Sequence, residues 1–184
     1  MADRRVAVLL LGAGQARRFG GDKLVADFRG RPLWRWAADA CTEAGFDEYC
    51  LVVGEDARFA DVPAQWTLVP NRHAASGMAS SIRCGVASVR QCDRVVIALA
   101  DMPLVAPAHL RALAAGDDPV FTRQADGSAG VPAAFPARYF DRLLALEGDR
   151  GAASLSFADA ALLDPPDAGM LADVDTPVDL SQLD

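Results

Sequence analysis

The residues best suited to chemistry lie in one stretch, Leu10-Leu11-Gly12-Ala13-Gly14-Gln15-Ala16-Arg17-Arg18-Phe19-Gly20-Gly21-Asp22-Lys23. Small residues at 12 to 14 take side-chain bulk out of a turn, so backbone N–H groups can approach an anion closely. Arg18 and Lys23 place cations beside it. The pattern suits a polyphosphate site; its alternative is a tight surface turn with solvated cations. Two familiar nucleotide loops do not fit. The dinucleotide fingerprint G-x-G-x-x-G has Arg17 at its third glycine, where a side chain hinders close helix packing. In the P-loop pattern the lysine follows glycine and precedes Ser or Thr, and Lys23 does neither.

Two carboxylate positions complement that loop. Asp101 ends the apolar run Arg94–Ala100, at the C-terminal end of a predicted strand, where open α/β sheets bind ligands. There it could hold Mg²⁺ bridging phosphates, since this hard cation takes one or two protein carboxylates and keeps other oxygen ligands. Its alternative is a turn cap before Pro103. In Asp173-Val174-Asp175-Thr176-Pro177, alternation puts Asp173 and Asp175 on one side of an extended segment. Either could complete a metal site with Asp101, or Asp175 could support the start of the last helix. Position alone does not separate the two.

These residues need elements to hold them. Val6–Leu11 reads as a buried strand ahead of the loop. Apolar residues at three- and four-residue spacing from Leu33 to Ala44, ended by Gly45, predict a helix. Strands are predicted at Tyr49–Val53, Trp66–Val69 and Arg94–Ala100, with a helix after Ser76 running to about Arg90. Pro107 suits the first turn of a helix to Ala115. Pro119–Thr122 and Val131–Phe135 read as strands around a turn at Asp126-Gly127. A helix over Ala137–Leu146, a break at Gly148–Gly151 and another short helix follow. Final strands are expected at Ala161–Leu163 and Leu171–Val174, then a helix with Thr176 as N-cap and Pro177 first. Alternating strands and helices predict a three-layer, Rossmann-like α/β fold, a mostly parallel sheet with helices on both faces. With no linker or repeat, residues 1–184 read as a single domain.

Composition narrows the function. The 184 residues are 52% hydrophobic and 23% charged, which excludes a disordered chain. A formal charge of −7 argues against nucleic acid or an anionic membrane as partner, but leaves room for a small anion held by local cations. The apolar run Val6–Leu11 is too short for a signal-peptide core or a membrane span, so a cytoplasmic location is expected. Cys41, Cys50, Cys84 and Cys92 form no C-x-x-C pair and are read as buried reduced thiols, without a zinc site.

Taken together, the motifs resemble the MobA-like nucleotidyltransferases, and among them most closely the MocA-like molybdenum cofactor cytidylyltransferases. That family opens on approximately L-A-A-G-x-S-x-R-x-G-x-x-K, matched here from Leu11 to Lys23. The resemblance continues through Gly77-Met78-Ala79-Ser80-Ser81-Ile82-Arg83, Ala100-Asp101-Met102-Pro103, Gly148-Asp149-Arg150-Gly151-Ala152 and Asp173-Val174-Asp175-Thr176-Pro177. It implies a nucleotide-diphospho-sugar transferase-like fold and Mg²⁺-dependent transfer of CMP from CTP to the terminal phosphate of molybdopterin cofactor, releasing pyrophosphate. By the same resemblance the backbone from Gly12 to Ala16 wraps the triphosphate, Leu11, Gly12, Ala13, Gly14 and Gln15 bind the nucleotide, and Arg18 and Lys23 neutralise its charge. Asn71, Gly77 and Ser81 lie near base and ribose, and Asp101 and Asp175 hold Mg²⁺, with Asp173 in reserve. Gly148, Asp149, Arg150 and Gly151 face the acceptor, and a molybdoenzyme or its chaperone could dock transiently.

Three departures stand out. Gly12 replaces the usual alanine, which should loosen the loop; Ala16 replaces a common serine; and Gly130-Val131-Pro132 lacks a histidine frequent between that glycine and proline. Ala13 stands where guanylyltransferases carry a second glycine, which favours CTP. Guanylyl transfer to the same cofactor and nucleotidyl transfer to a sugar or alditol phosphate are the alternatives within this chemistry. A non-catalytic nucleotide or cofactor carrier is the alternative outside it.

Overall fold

A computed structural model describes residues 4–14, 19–57 and 59–183. In chain order it contains β1 (Val6–Gly12), β2 (Asp27–Phe28), β3 (Arg31–Pro32), α1 (Leu33–Ala44), β4 (Glu48–Gly54), β5 (Trp66–Asn71) and α2 (Met78–Ser88). There follow β6 (Arg94–Leu99), α3 (Pro107–Ala115), β7 (Val120–Arg123), β8 (Ala129–Pro136), α4 (Phe140–Leu144), β9 (Ala161–Leu163) and α5 (Pro177–Leu183). The main sheet has the order β5-β4-β1-β6-β8-β7-β9. β1, β4, β5 and β6 are parallel, and β8 runs against both its neighbours. The short pair β2–β3 stands apart from it.

Alternation along the central strands explains the three layers. Leu9 and Leu11 of β1, Cys50 and Val52 of β4, and Val95 and Ile97 of β6 pack under Ile82 and Val86 of α2 and Leu143 of α4. Val8, Leu10, Leu51, Val96 and Ala98 pack on the other face under Trp34, Ala37 and Cys41 of α1 and Leu110 and Leu113 of α3. A parallel strand covered on both faces reads as an unbroken apolar run, as Val6–Leu11 does. At Gly85 a Cβ would lie 2.9 Å from Leu9 Cδ1 and 3.0 Å from Val52 Cγ2, so this glycine lets α2 settle close on β1 and β4.

Two buried polar groups join the layers. The Arg94 guanidinium, fully buried, donates to Leu113 O at 3.2 and 2.8 Å and to Asp118 O at 2.9 Å. It thus serves carbonyls at and beyond the C-terminal turn of α3, a helix whose last turn has no basic residue of its own. Burial, with Arg4 nearby, lowers its pKa to about 10, so it remains a cation near neutrality. His109 Nε2 lies 2.8 Å from Thr122 Oγ1, whose hydroxyl is 2.6 Å from Pro132 O. A carbonyl only accepts, so Thr122 donates to it and His109 Nε2 carries the proton that binds Thr122.

The sequence expectations hold for the alternating elements and fail at two places. Ala137–Leu146 is a 3₁₀ turn, Ala137–Tyr139, leading into the short α4. Leu171–Val174 is not a strand: Ala168–Leu171 is a 3₁₀ turn started by Asp167, whose carboxylate accepts from Gly169 N at 2.6 Å. Val174 N then donates to Asp101 O at 3.0 Å without joining a ladder. The four cysteines are free thiols, three buried and Cys84 half-buried, and burial pushes the Cys41 thiol to about 12. Among the described residues no helix is long and apolar enough to cross a membrane.

Burial lowers the pKa of His109 from its ordinary value of 6.5. A base whose folded pKa is depressed contributes stability that is complete above the unfolded value and is lost as pH falls through the folded one. His109→Gln keeps an N–H donor for Thr122 but does not titrate. Between about pH 7.5 and about pH 5, the urea midpoint should fall further for the native chain than for this variant. Equal falls would remove His109 from the acid response.

Candidate active site

Strand register brings the loop after β1 and the exit of β6 together. Leu11 pairs with Leu99, and Ala100 N donates to Leu11 O at 3.0 Å. Gly12–Gly14 and Asp101 therefore leave the C-terminal edge of the sheet side by side. They open onto a cleft of about 480 Å³, lined also by Leu11, Lys23, Leu24, Ala74, Ala75, Gly77, Met78, Ser81, Leu99 and Asp149. A smaller recess of about 160 Å³ shares Gly12, Ala13 and Gly14 and is walled by Gly54, Ala57 and Phe59. Gln15 and Arg18, with Ala16 and Arg17, lie outside the described residues. At Gly12 a Cβ would lie 3.3 Å from Leu24 Cδ1, Leu51 Cδ1 and Val52 O. The expected loosening is thus offset by two leucines that close over the missing methyl.

Lys23 begins a 3₁₀ turn, Lys23–Val25, for which Asp22 is the N-cap, accepting from Leu24 N at 3.3 Å. Lys23 is buried, and its Nζ donates to Asp101 Oδ2 at 2.7 Å, Val174 O at 2.8 Å and Asp175 Oδ1 at 3.2 Å. Burial opposes the charge on Lys23, yet the Asp101 and Asp175 carboxylates outweigh it and hold the ammonium above its usual pKa. Burial raises the Asp101 pKa; the Lys23 ammonium counters this in part, and Asp173 adds to it. Asp101 Oδ1 is buried with no hydrogen-bond partner among the described residues. An orphaned carboxylate oxygen beside a second carboxylate and a carbonyl fits a hard divalent cation, which takes oxygen ligands.

The start of α5 beside Asp175 is capped by the residues that follow it. Thr176 and Asp179 form a reciprocal cap on α5: Asp179 N donates to Thr176 Oγ1 at 3.2 Å, and Thr176 N donates to Asp179 Oδ2 at 2.7 Å. Asp175 N also donates to Asp179 Oδ2, at 3.0 Å, while the Asp175 carboxylate turns to Lys23. Asp173 is exposed.

Across the cleft, the two remaining motifs are packed together. Gly77 has φ +103°, and a Cβ there would lie 2.4 Å from Asp149 Oδ1 and 2.5 Å from Gly148 O. Ala79 N donates to Gly148 O at 3.2 Å, so the Gly148–Gly151 turn caps the start of α2. Asp149 lines the cleft; Arg150 is exposed outside its lining. Asn71 is buried and does not line the cleft: its Nδ2 donates to Ser80 Oγ at 2.9 Å and Ser81 Oγ at 3.0 Å, tying the end of β5 to α2. Ser81 does line it, as an acceptor from Asn71. Sequence reasoning missed Val174, which acts through a backbone carbonyl that leaves no side-chain signal. It also missed Ala74 and Ala75, whose small size before Gly77 was the available cue.

A family model for the MobA-like NTP transferase domain matches residues 8–162. The chain belongs to that family. It is 27% identical over 186 residues to the purine catabolism protein PucB of Bacillus subtilis, spanning 92% of this chain and 91% of that one. Among solved structures, Rv0371c of Mycobacterium tuberculosis superposes with a TM-score of 0.82 at 30% identity, covering 98% of this chain and 97% of the other. A second structure of that protein, a complex with manganese, gives a TM-score of 0.73 at 27% identity, covering 97% of each. The molybdopterin-guanine dinucleotide biosynthesis protein A of Archaeoglobus fulgidus shares the fold, with a TM-score of 0.71 at 20% identity and 96% of each chain covered. This chain is thus a nucleotidyltransferase of the MobA-like family, with the three-layer fold its alternating sequence predicts.

The packed pair of turns yields a paired prediction. Gly77→Ala should cost about 2 kcal/mol or more in urea unfolding, since it adds left-handed backbone strain to an overlap with backbone oxygen. Gly151→Ala should cost less than about half of that, because its Cβ would meet only the flexible thioether of Met78, 3.1 Å away. Equal costs would show that position 77 is not held in this left-handed conformation against Gly148.

Proposed function

We propose that this chain transfers a CMP moiety from CTP to the terminal phosphate of molybdopterin cofactor and releases pyrophosphate. The observation that supports it most is the convergence, in one cleft, of a small-residue loop, Lys23, Asp101 and Asp149, with Asp175 joined to it through Lys23. In this reading a terminal phosphate oxygen of the acceptor attacks the α-phosphorus. The bond to the bridging oxygen breaks, and pyrophosphate departs. Little covalent chemistry falls to the protein, so positioning and charge stabilisation carry the rate.

Each motif then has a task. Backbone N–H groups from Leu11 to Gln15 cradle the triphosphate, with Arg18 and Lys23 as counter-charges. Asp101 and Asp175 hold Mg²⁺, which when bound stabilises charge developing on the phosphate oxygens. A relative crystallised with manganese supports a divalent metal in this family. Ser81 and the Gly77 turn bound the ribose side, Asn71 keeps Ser81 in place, and Gly148–Gly151 meets the acceptor. Residues 1–184 work as one cytoplasmic unit and hand the product to a molybdoenzyme or its chaperone.

Guanylyl transfer is the second reading, suggested by the fold shared with the molybdopterin-guanine dinucleotide biosynthesis protein A of Archaeoglobus fulgidus. Ala13, in place of the glycine that guanylyltransferases carry, favours CTP. The test is pyrophosphate release from CTP, GTP, ATP and UTP in turn, with Mg²⁺ and molybdopterin cofactor. Release with CTP alone is expected, and Asp101→Asn should lower its rate by about a hundredfold or more. Release with GTP alone would transfer the assignment to guanylyl transfer. None with any nucleotide or acceptor would support a carrier.

A further inference from the structure

Lys23 is the only lysine in the sequence; every other long basic side chain is arginine. Its setting explains the exception. Asp101 Oδ2 at 2.7 Å, Val174 O at 2.8 Å and Asp175 Oδ1 at 3.2 Å take up the three donors of one compact ammonium. A planar guanidinium, with its donors in a rigid fork, does not fit three oxygens converging on a point. Three oxygens, two of them anionic, are also what a hard divalent cation seeks. The ammonium therefore stands where such a cation would bind, and Asp101 Oδ1, buried and unpartnered among the described residues, adjoins it.

Building on the reading of Asp101 and Asp175 as metal ligands, we propose that Lys23 is the resident cation of the metal position in the nucleotide-free protein. It leaves for the phosphates of the nucleotide as the metal enters. A divalent cation arriving alone meets a like charge and must displace an ammonium from three hydrogen bonds, two of them to carboxylates, and that ammonium gains only water in return. A triphosphate supplies new oxygens for the ammonium and brings metal with it. Metal and triphosphate are then positively coupled through one side chain, and the coupling is reciprocal. The device keeps the half-buried carboxylates compensated while the cleft is empty and rejects a lone cation.

A sole lysine makes the test site-specific. Protein labelled with [¹⁵N]lysine gives a single side-chain ammonium resonance in the intact native chain. Mg²⁺ alone should leave that resonance in place, and Mg²⁺ with inorganic tripolyphosphate should move it. An equal move with Mg²⁺ alone, or no move with both, overturns the proposal. As a second readout, Lys23→Met should bind Mn²⁺ alone about tenfold or more tightly than the native chain, by paramagnetic resonance of free Mn²⁺. Adding Asp101→Asn should abolish that gain. Unchanged or weaker binding by Lys23→Met overturns the proposal, and if that variant does not fold the resonance on the native chain decides. Neither measurement contains CTP or the pterin acceptor. A chain that passes both yet releases no pyrophosphate from CTP loses the proposed reaction and keeps this device. Pyrophosphate release with an unmoved resonance does the reverse.

Discussion

The cleft depends on β1 being hydrogen-bonded along both edges and covered on both faces. Its parallel pairing with β4 and β6 fixes the level at which Gly12 and Asp101 leave the sheet. A slip of one residue would exchange Leu9 and Leu11 with Val8 and Leu10 between the two cores, reversing which face each packs on. Register is therefore held by packing on both sides, and the site inherits that precision. A loop of small residues can stay thin and open because the strand beneath it, rather than its own side chains, sets its position.

The second constraint is electrostatic. The Lys23 ammonium and the Asp101 carboxylate share a poorly hydrated spot where each charge would be costly alone, and the more exposed Asp175 adds a second counter-charge. Burial raises the Asp101 pKa and the ammonium pulls it back only in part; of the two carboxylate oxygens, Oδ2 binds Lys23 and Oδ1 has no hydrogen-bond partner among the described residues. The C-terminal segment closes this arrangement. Val174, fully buried with Phe28 and Leu33, donates its N–H to Asp101 O and offers its carbonyl to Lys23. The reciprocal cap of Thr176 and Asp179 starts α5 and releases the Asp175 side chain for the same cluster. Residues far apart in sequence thus meet on one nitrogen atom.

What the sequence disclosed follows from how local each cause is. Val6–Gly12, Leu33–Ala44 and Pro107–Ala115 were legible because periodicity, Gly45 and Pro107 act within a few residues. Asp101 was legible because the end of an apolar run marks the end of a strand. Leu171–Val174 misled, since its apolar residues serve tertiary contacts and its backbone finds Asp101 in place of a ladder. The destination of Lys23 was hidden because its partners come from two distant segments and one of them is a carbonyl. Asn71 looked like a ligand for base or ribose; its amide is committed to Ser80 and Ser81, a connection that required knowing α2 begins beside the end of β5. Gly12 shows the same limit, because a missing methyl reads as freedom until the leucines filling the space are located.

The Gly77 and Gly148–Gly151 turns carry this logic across the cleft. Each is a short segment with a glycine at positive φ, and neither is part of the sheet. They are joined where Ala79 N meets Gly148 O, at the start of a helix that has no side-chain N-cap. The Gly148 carbonyl therefore satisfies a donor that a Ser or Asp would otherwise serve. Seen from the helix, the turn is its cap; seen from the cleft, that cap carries Asp149 into the lining. Because α2 is itself fixed through Gly85 on β1 and through Asn71 on β5, Asp149 is located by the same sheet that locates Gly12 and Asp101. Opposite walls of the cleft are thereby referred to one rigid element, which is what an in-line transfer between two bound substrates demands.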